Sequence, residues 1–75
     1  MIRRGDCGVP VVEVQRLLTA YGFWTEQNGE YGEQTEAKVK TFQRLHGIKP
    51  TGEVDDATMG ALRAISETTF RAVKP

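Results

Sequence analysis

Apolar residues recur at Val11, Val14, Leu18 and Tyr21, at spacings of three and four. That is the period of one helix face. Pro10 suits a first helical turn, where its missing N–H costs nothing, and Gly22 is a fitting stop, so a helix is predicted over about 10–21. Residues 23–31, "FWTEQNGEY", lose the period and carry the turn dipeptide Asn28-Gly29. The period returns from Glu33 to Leu45, with Val39 and Phe42 anchoring a buried stripe that Ala37 and Leu45 extend. Gly47 ends this second helix, and His46 in its last turn sits where a cation favours the helix dipole. A turn follows around Pro50 to Gly52, then an N-cap at Asp55 and a third stripe of Met59, Leu62 and Ile65. Beyond Ala64, "ISETTFRAVKP" either continues the helix, as the spacing of Phe70 and Val73 allows, or breaks into a separate turn capped by Ser66. The expected fold is all-α: a compact three-helix bundle joined by Gly-containing turns.

Part of this pattern is written twice. "GEYGEQT" at 29–35 returns as "GEVDDAT" at 52–58, and each follows a "QRL", at Gln15 and at Gln43. Each copy is a helix carrying Gln-Arg-Leu in its second half, a Gly stop, an apolar residue (Phe23, Ile48), a turn on Gly and the start of the next helix. Gly29 and Gly52 supply turn geometry that a Cβ resists. Gly32 and Asp55 fall at equivalent cap positions, with Thr35 and Thr58 three residues further on. The acids Glu33, Asp55 and Asp56 complement the exposed N–H groups of those helix starts. The chain therefore reads as two overlapping helix–turn–helix units that share the middle helix.

Composition narrows the function. A chain of 75 residues is one small domain whose core must be compact and local. Ten acids balance ten bases. Zero net charge argues against duplex nucleic acid and against an anionic membrane surface, where a basic face supplies most of the affinity. No stretch reaches transmembrane length, and "MIRRGDCGVP" has a basic pair without the apolar run of a signal peptide. The single Cys7 cannot close an internal disulfide. One Cys and one His cannot make a zinc site of normal ligand count, and Cys7 is far along the chain from His46. Clustered acids in "GEVDD" read as caps, and no phosphate loop or dinucleotide fingerprint occurs. Neither catalysis nor a cofactor is expected of this chain.

The stretch "RRGDCGVPVVEVQRLL … NGEYGEQTEAKVKTFQRLHGIKPTGEVDDATMGAL" resembles the peptidoglycan-binding type 1 domain, the three-helix module of many bacterial and phage wall hydrolases. The resemblance runs from Arg3 to Leu62 and includes Gly5, Gly8, Val14-Gln15, the Gly29-Glu-Tyr-Gly32 turn, Thr35, Phe42-Gln43, Gly52 and Thr58. Asn28 stands where the family commonly has Asp, Glu33 and Asp56 where Pro is frequent, and Cys7 where a polar residue is usual. The domain is accordingly placed at 1–66, with 67–75 a tail that is either a helical extension or a partner-docking segment.

What the resemblance implies is a shallow groove at the first turn, able to hold the stem peptide or glycan of peptidoglycan. The candidate groove residues are Trp24, Asn28, Tyr31, Gly32, Gln34, Thr35 and Gln43. Trp24 on the irregular loop either stacks on a sugar face or packs beneath the loop, where Phe23 is expected. Thr35 reads more readily as a cap than as a ligand contact. Gln15 and Gln43 are at least as well explained as buried amides tying the turn backbone. The expected role is non-catalytic binding that concentrates an attached or associated activity, such as a wall hydrolase, on the cell wall, outside the cell or in a phage virion. The alternative is a docking protein that reuses the scaffold, a virion accessory or envelope component whose Phe70 and Val73 pack on a neighbour. It draws on the chain's own Met1 and on a tail that something would have to hold in place.

Overall fold

The computed structural model describes the backbone of residues 1–73 and the side chains of residues 1–65. Three helices follow one another: α1 (Val9–Tyr21), α2 (Glu33–Leu45) and α3 (Asp56–Val73). Among the described residues there is no strand beyond two isolated antiparallel bridges, Ile2 with Val54 and Cys7 with Glu30. The three-helix expectation holds. The backbone of α3 runs on past Ser66 without a separate turn. The side chains of Phe70 and Val73, on which the docking alternative leans, lie outside the described residues.

The α1 stripe is buried at Val11, Val14 and Leu18, joined by Gln15, and Tyr21 is half-buried at its end. Leu62 of α3 closes the core with Val39 and Phe42 of α2, Tyr31 and Val54, and Met59 and Ile65 pack at its edge. The buried face of α2 is Thr35, Val39, Phe42 and Gln43, which corrects the expected stripe. Ala37 is exposed and Leu45 is 62% exposed. A helix turns about 100° per residue, so the face centred on Val39 and Phe42 carries Ala37 to the opposite side and Leu45 about a quarter-turn away. Two polar residues, Thr35 and Gln43, complete the buried face instead of Ala37 and Leu45. The reason lies in the turns.

Both α1 and α2 end in the same way. The Phe23 N–H donates to Leu18 O at 2.8 Å, and the Ile48 N–H donates to Gln43 O at 2.8 Å, each across a glycine. His46 lies against Phe42, with ring centroids 4.4 Å apart, and its Nε2 is 3.0 Å from the Tyr21 hydroxyl, so the ends of α1 and α2 meet through an aromatic contact. Phe23 packs edge-on to Tyr21 at 5.1 Å, under the loop as expected. Asp55 caps α3: its Oδ1 accepts from the Thr58 N–H at 2.8 Å. That bond and the one from the Thr58 hydroxyl hold the Asp55 carboxyl below its ordinary range.

The N-terminal segment ties the two turns together. Ile2 exchanges both backbone hydrogen bonds with Val54, at 3.1 and 2.7 Å, beside the second turn. Gly5 and Asp6 then bracket Tyr31 in the first turn, with Gly5 N–H to Tyr31 O and Tyr31 N–H to Asp6 O both at 3.0 Å.

Candidate functional site

The duplicated phrase folds into a duplicated hydrogen-bond clamp. Gln15 is 1% exposed and Gln43 is fully buried, and each reaches from its helix into the turn that follows. The Gln15 Nε2 donates to Glu30 O at 2.9 Å and to Thr35 Oγ1 at 3.1 Å, while its Oε1 accepts from the Gly29 N–H at 3.0 Å. The Gln43 Nε2 donates to Glu53 O at 2.9 Å and to Thr58 Oγ1 at 3.0 Å, while its Oε1 accepts from the Gly52 N–H at 3.0 Å. One amide per copy thus satisfies a buried backbone donor, a backbone acceptor and the threonine of the next helix. Both glycines take positive φ, +77° at Gly29 and +82° at Gly52, as the turns require. Gly52 is also crowded: a Cβ there would lie 3.0 Å from Glu36 Cγ and Lys40 Cε.

The copies differ in what surrounds the clamp. Gln15 and Gly29 are 14 residues apart, Gln43 and Gly52 only 9, so the first connection is five residues longer. The extra length is laced down. Thr25 is 1% exposed, its N–H donates to Thr19 Oγ1 at 3.3 Å, and the Glu26 N–H donates to Gln34 Oε1 at 3.3 Å. Asn28 bridges loop and clamp: its Nδ2 donates to Glu26 Oε2 at 3.2 Å, and its Oδ1 accepts from Gln15 Nε2 at 3.2 Å and from the Glu30 N–H at 3.0 Å.

Between this loop and the start of α2 lies an open depression of about 220 Å³. Of the sequence-derived candidates, Asn28, Gly32, Gln34 and Thr35 line it. Thr35 is buried at its floor, and its hydroxyl already accepts from Gln15. Tyr31 is 2% exposed with its hydroxyl donated to Gly52 O, so its side chain points into the core beneath the site. Burial, reinforced by Glu36, Glu53 and Asp6, pushes that phenol well above its ordinary range. Trp24 stands on the long loop, 59% exposed, outside the lining. Gln43 serves the second turn and does not reach the depression.

Four lining residues were absent from the candidate set: Gln15, Glu26, Glu30 and Glu33. Gln15 was legible from the repeat as a turn-binding amide. Glu33 was legible only as an acid at a helix start, and Glu26 and Glu30 carry no sequence signal beyond their nearness to the turn. Arg4, from the N-terminal segment, approaches the neighbouring first turn of α2, 3.8 Å from Glu33 and 3.4 Å from Glu36. The lining is therefore rich in hydrogen-bonding amides and carboxylates. It contains no imidazole or thiol, and among the described residues no group of three or more His, Cys, Asp or Glu is placed to hold a metal ion. Among the same residues no helix is long and apolar enough to cross a membrane.

Over residues 7–62 the chain matches the family described as "Putative peptidoglycan binding domain". Its fold is shared with solved structures. A peptidoglycan-binding protein from Clostridioides difficile, solved in complex with glutamine hydroxamate, superposes with a TM-score of 0.88 at 29% identity, over 91% of this chain and 43% of that one. The SleB N-terminal domain superposes with a TM-score of 0.84 at 30% identity, over 87% of this chain and 90% of that one. An endolysin of the Burkholderia phage AP3 gives a TM-score of 0.80 at 34% identity, over 81% of this chain but 24% of that one. The chain thus spans less than half the length of the first and third of these proteins and nearly all of the second. No curated protein matches it.

Proposed function

The chain belongs to the peptidoglycan-binding domain family, and from that membership we propose that it binds bacterial cell-wall peptidoglycan at the first turn without cleaving it. The observation that carries this reading is the depression over the Gln15 clamp, present where the connection is five residues longer. Asn28, Gly32 and Gln34 contact the ligand, with Glu26, Glu30 and Glu33 around them. Thr35 and Tyr31 fix the turn from below, and Gln43 does the same for the other turn. Trp24, exposed at the edge of the loop, is the side chain available to stack on a sugar ring.

A groove this shallow binds one repeating unit modestly, and the repetition of the wall polymer raises the avidity. Retention on the wall then concentrates an attached or associated activity there. Support comes from the endolysin and from a fused Zn-dependent amidase/peptidase/peptidoglycan-binding protein of Clostridium acetobutylicum, in which domains like this one cover 24% and 28% of the length. The test is co-sedimentation of the pure protein with purified sacculi, with the supernatant assayed for soluble muropeptides. We expect pelleting with no release. A protein left in the supernatant overturns the binding reading, and released muropeptides overturn its non-catalytic half.

A further inference from the structure

A second open depression, of about 470 Å³, lies beside the first. Gly5, Asp6 and Cys7 of the N-terminal segment form one side, and Glu30, Tyr31 and Gly32 the other. Glu30 and Gly32 line both depressions, so the two meet over the residues 30–32. Their surfaces differ in kind. The first is mainly polar and the second mainly apolar.

Gly32 is the low point between them. Its φ of −104° is open to any residue, and a Cβ there would meet nothing within 4 Å. Neither backbone geometry nor packing therefore asks for glycine at this position. What its missing side chain provides is an unobstructed passage from one depression to the other, where a ligand can lie close on the backbone. Asp55, at the matching place in the second copy, carries a side chain that caps its helix.

We propose that the two depressions form one extended groove, in which the N-terminal segment binds the sugar of a peptide-bearing disaccharide while the first depression takes its peptide. The assignment follows the chemistry of the walls. Amides and carboxylates of the first depression match the amide and amine groups of a peptide. The second offers backbone at Gly5 and Gly32 and a mainly apolar surface, with Asp6 and Glu30 at its sides, which fits the C–H face of a sugar ring whose hydroxyls donate to those carboxylates. The inference rests on the reading that this domain binds peptidoglycan, and it adds a site that residues 5–7 supply.

Cys7 is a free, exposed thiol on the wall of the second depression, and it reports occupancy directly. The alkylation rate of Cys7 is measured alone, with soluble disaccharide-peptide, and with free stem peptide, alongside sacculus pelleting. We expect the disaccharide-peptide to slow alkylation several-fold and the free peptide to leave it unchanged. Gly32→Leu should remove that protection and weaken pelleting while the thermal melt stays as in the wild type. Protein that pellets with sacculi but whose Cys7 reacts at the same rate with and without disaccharide-peptide overturns the extended groove alone. So does protection by free peptide of equal strength, or protection that survives Gly32→Leu. Failure to pellet at all overturns the underlying reading as well.

Discussion

The hydroxyl of Tyr31 donates its hydrogen bond to the backbone carbonyl of Gly52, joining the first turn to the second through the core. Tyr31 is 2% exposed, so a carbonyl deprived of this donor has little water to replace it. Leaving a buried acceptor unpaired costs about 1–3 kcal/mol. Tyr31→Phe keeps the ring and its packing and should lower unfolding stability by that amount in a urea titration. A midpoint equal to that of the wild type would show that the two turns hold their places independently.

The same bond sets an alkaline limit. The Tyr31 phenol is raised in the folded protein, by burial first and by Glu36, Glu53 and Asp6 after it. Unfolded, it titrates near its ordinary value of about 10. The stabilising contribution is therefore complete below about pH 10 and declines as pH rises towards the folded value, by at most about 1.4 kcal/mol per pH unit. Tyr31→Phe lacks this group, so the stability gap between wild type and variant should narrow above pH 10. Melts of both proteins between pH 8 and 11 provide the comparison, and a gap that stays constant would refute the assignment.

The helices were legible because their signals are local. Val11, Val14 and Leu18 lie one helical period apart, and Asp55 announces its cap by its place before the stripe. The buried face of α2 was harder to read. Thr35 and Gln43 are polar, and only the hydrogen bonds across the turns explain why they are inside while Leu45 is out. The clamp itself could be anticipated from the repeated Gln, Gly and Thr. The depression could not, because its shape depends on how the longer loop folds back against the start of α2 over the Gln15 amide, with Glu26 on the loop side and Glu33 on the helix side, and no periodicity announces that path.

Phe42 is fully buried and touches Tyr21 edge-on, with ring centroids 5.3 Å apart. Removing such a ring leaves a cavity, and Phe42→Ala should cost about 3–5 kcal/mol. Small domains hold only about 5 kcal/mol or somewhat more in total. Cooperative unfolding should therefore be lost or displaced to low temperature in a thermal melt followed by circular dichroism. A variant that melts with the wild type would mean that α2 does not bury this face.

Asp55 gives a milder and pH-dependent case. Asp55→Ala removes the α3 cap and should cost about 1 kcal/mol at neutral pH. Because the folded carboxyl titrates below its ordinary range, its contribution is present above about pH 4 and is lost as the pH falls through the folded value. Asp55→Asn keeps a cap while removing the titration, so it should match the wild type at pH 7 and resist acid better at pH 3. Equal acid sensitivity of the two proteins would count against the cap as its source.

The two clamps make the sharpest separation between scaffold and site. Gln15 and Gln43 make the same bonds to the same kinds of group, so replacing either with Met strands a buried glycine N–H and a turn carbonyl. Each loss should destabilise by about 1–3 kcal/mol per stranded group. Thr35→Val and Thr58→Val form a gentler pair, since each removes one hydroxyl from its clamp and nearly preserves shape. Function should divide what stability does not. Gln15 and Thr35 form part of the depression, whereas Gln43 and Thr58 do not. Measured at a temperature where all the proteins are folded, sacculus affinity should fall in the first member of each pair and persist in the second. A positioning loss of about 1.4 kcal/mol would appear as about a tenfold weaker association. Equal losses from both clamps would mean that binding needs only an intact bundle, and the first turn would lose its claim to be the site.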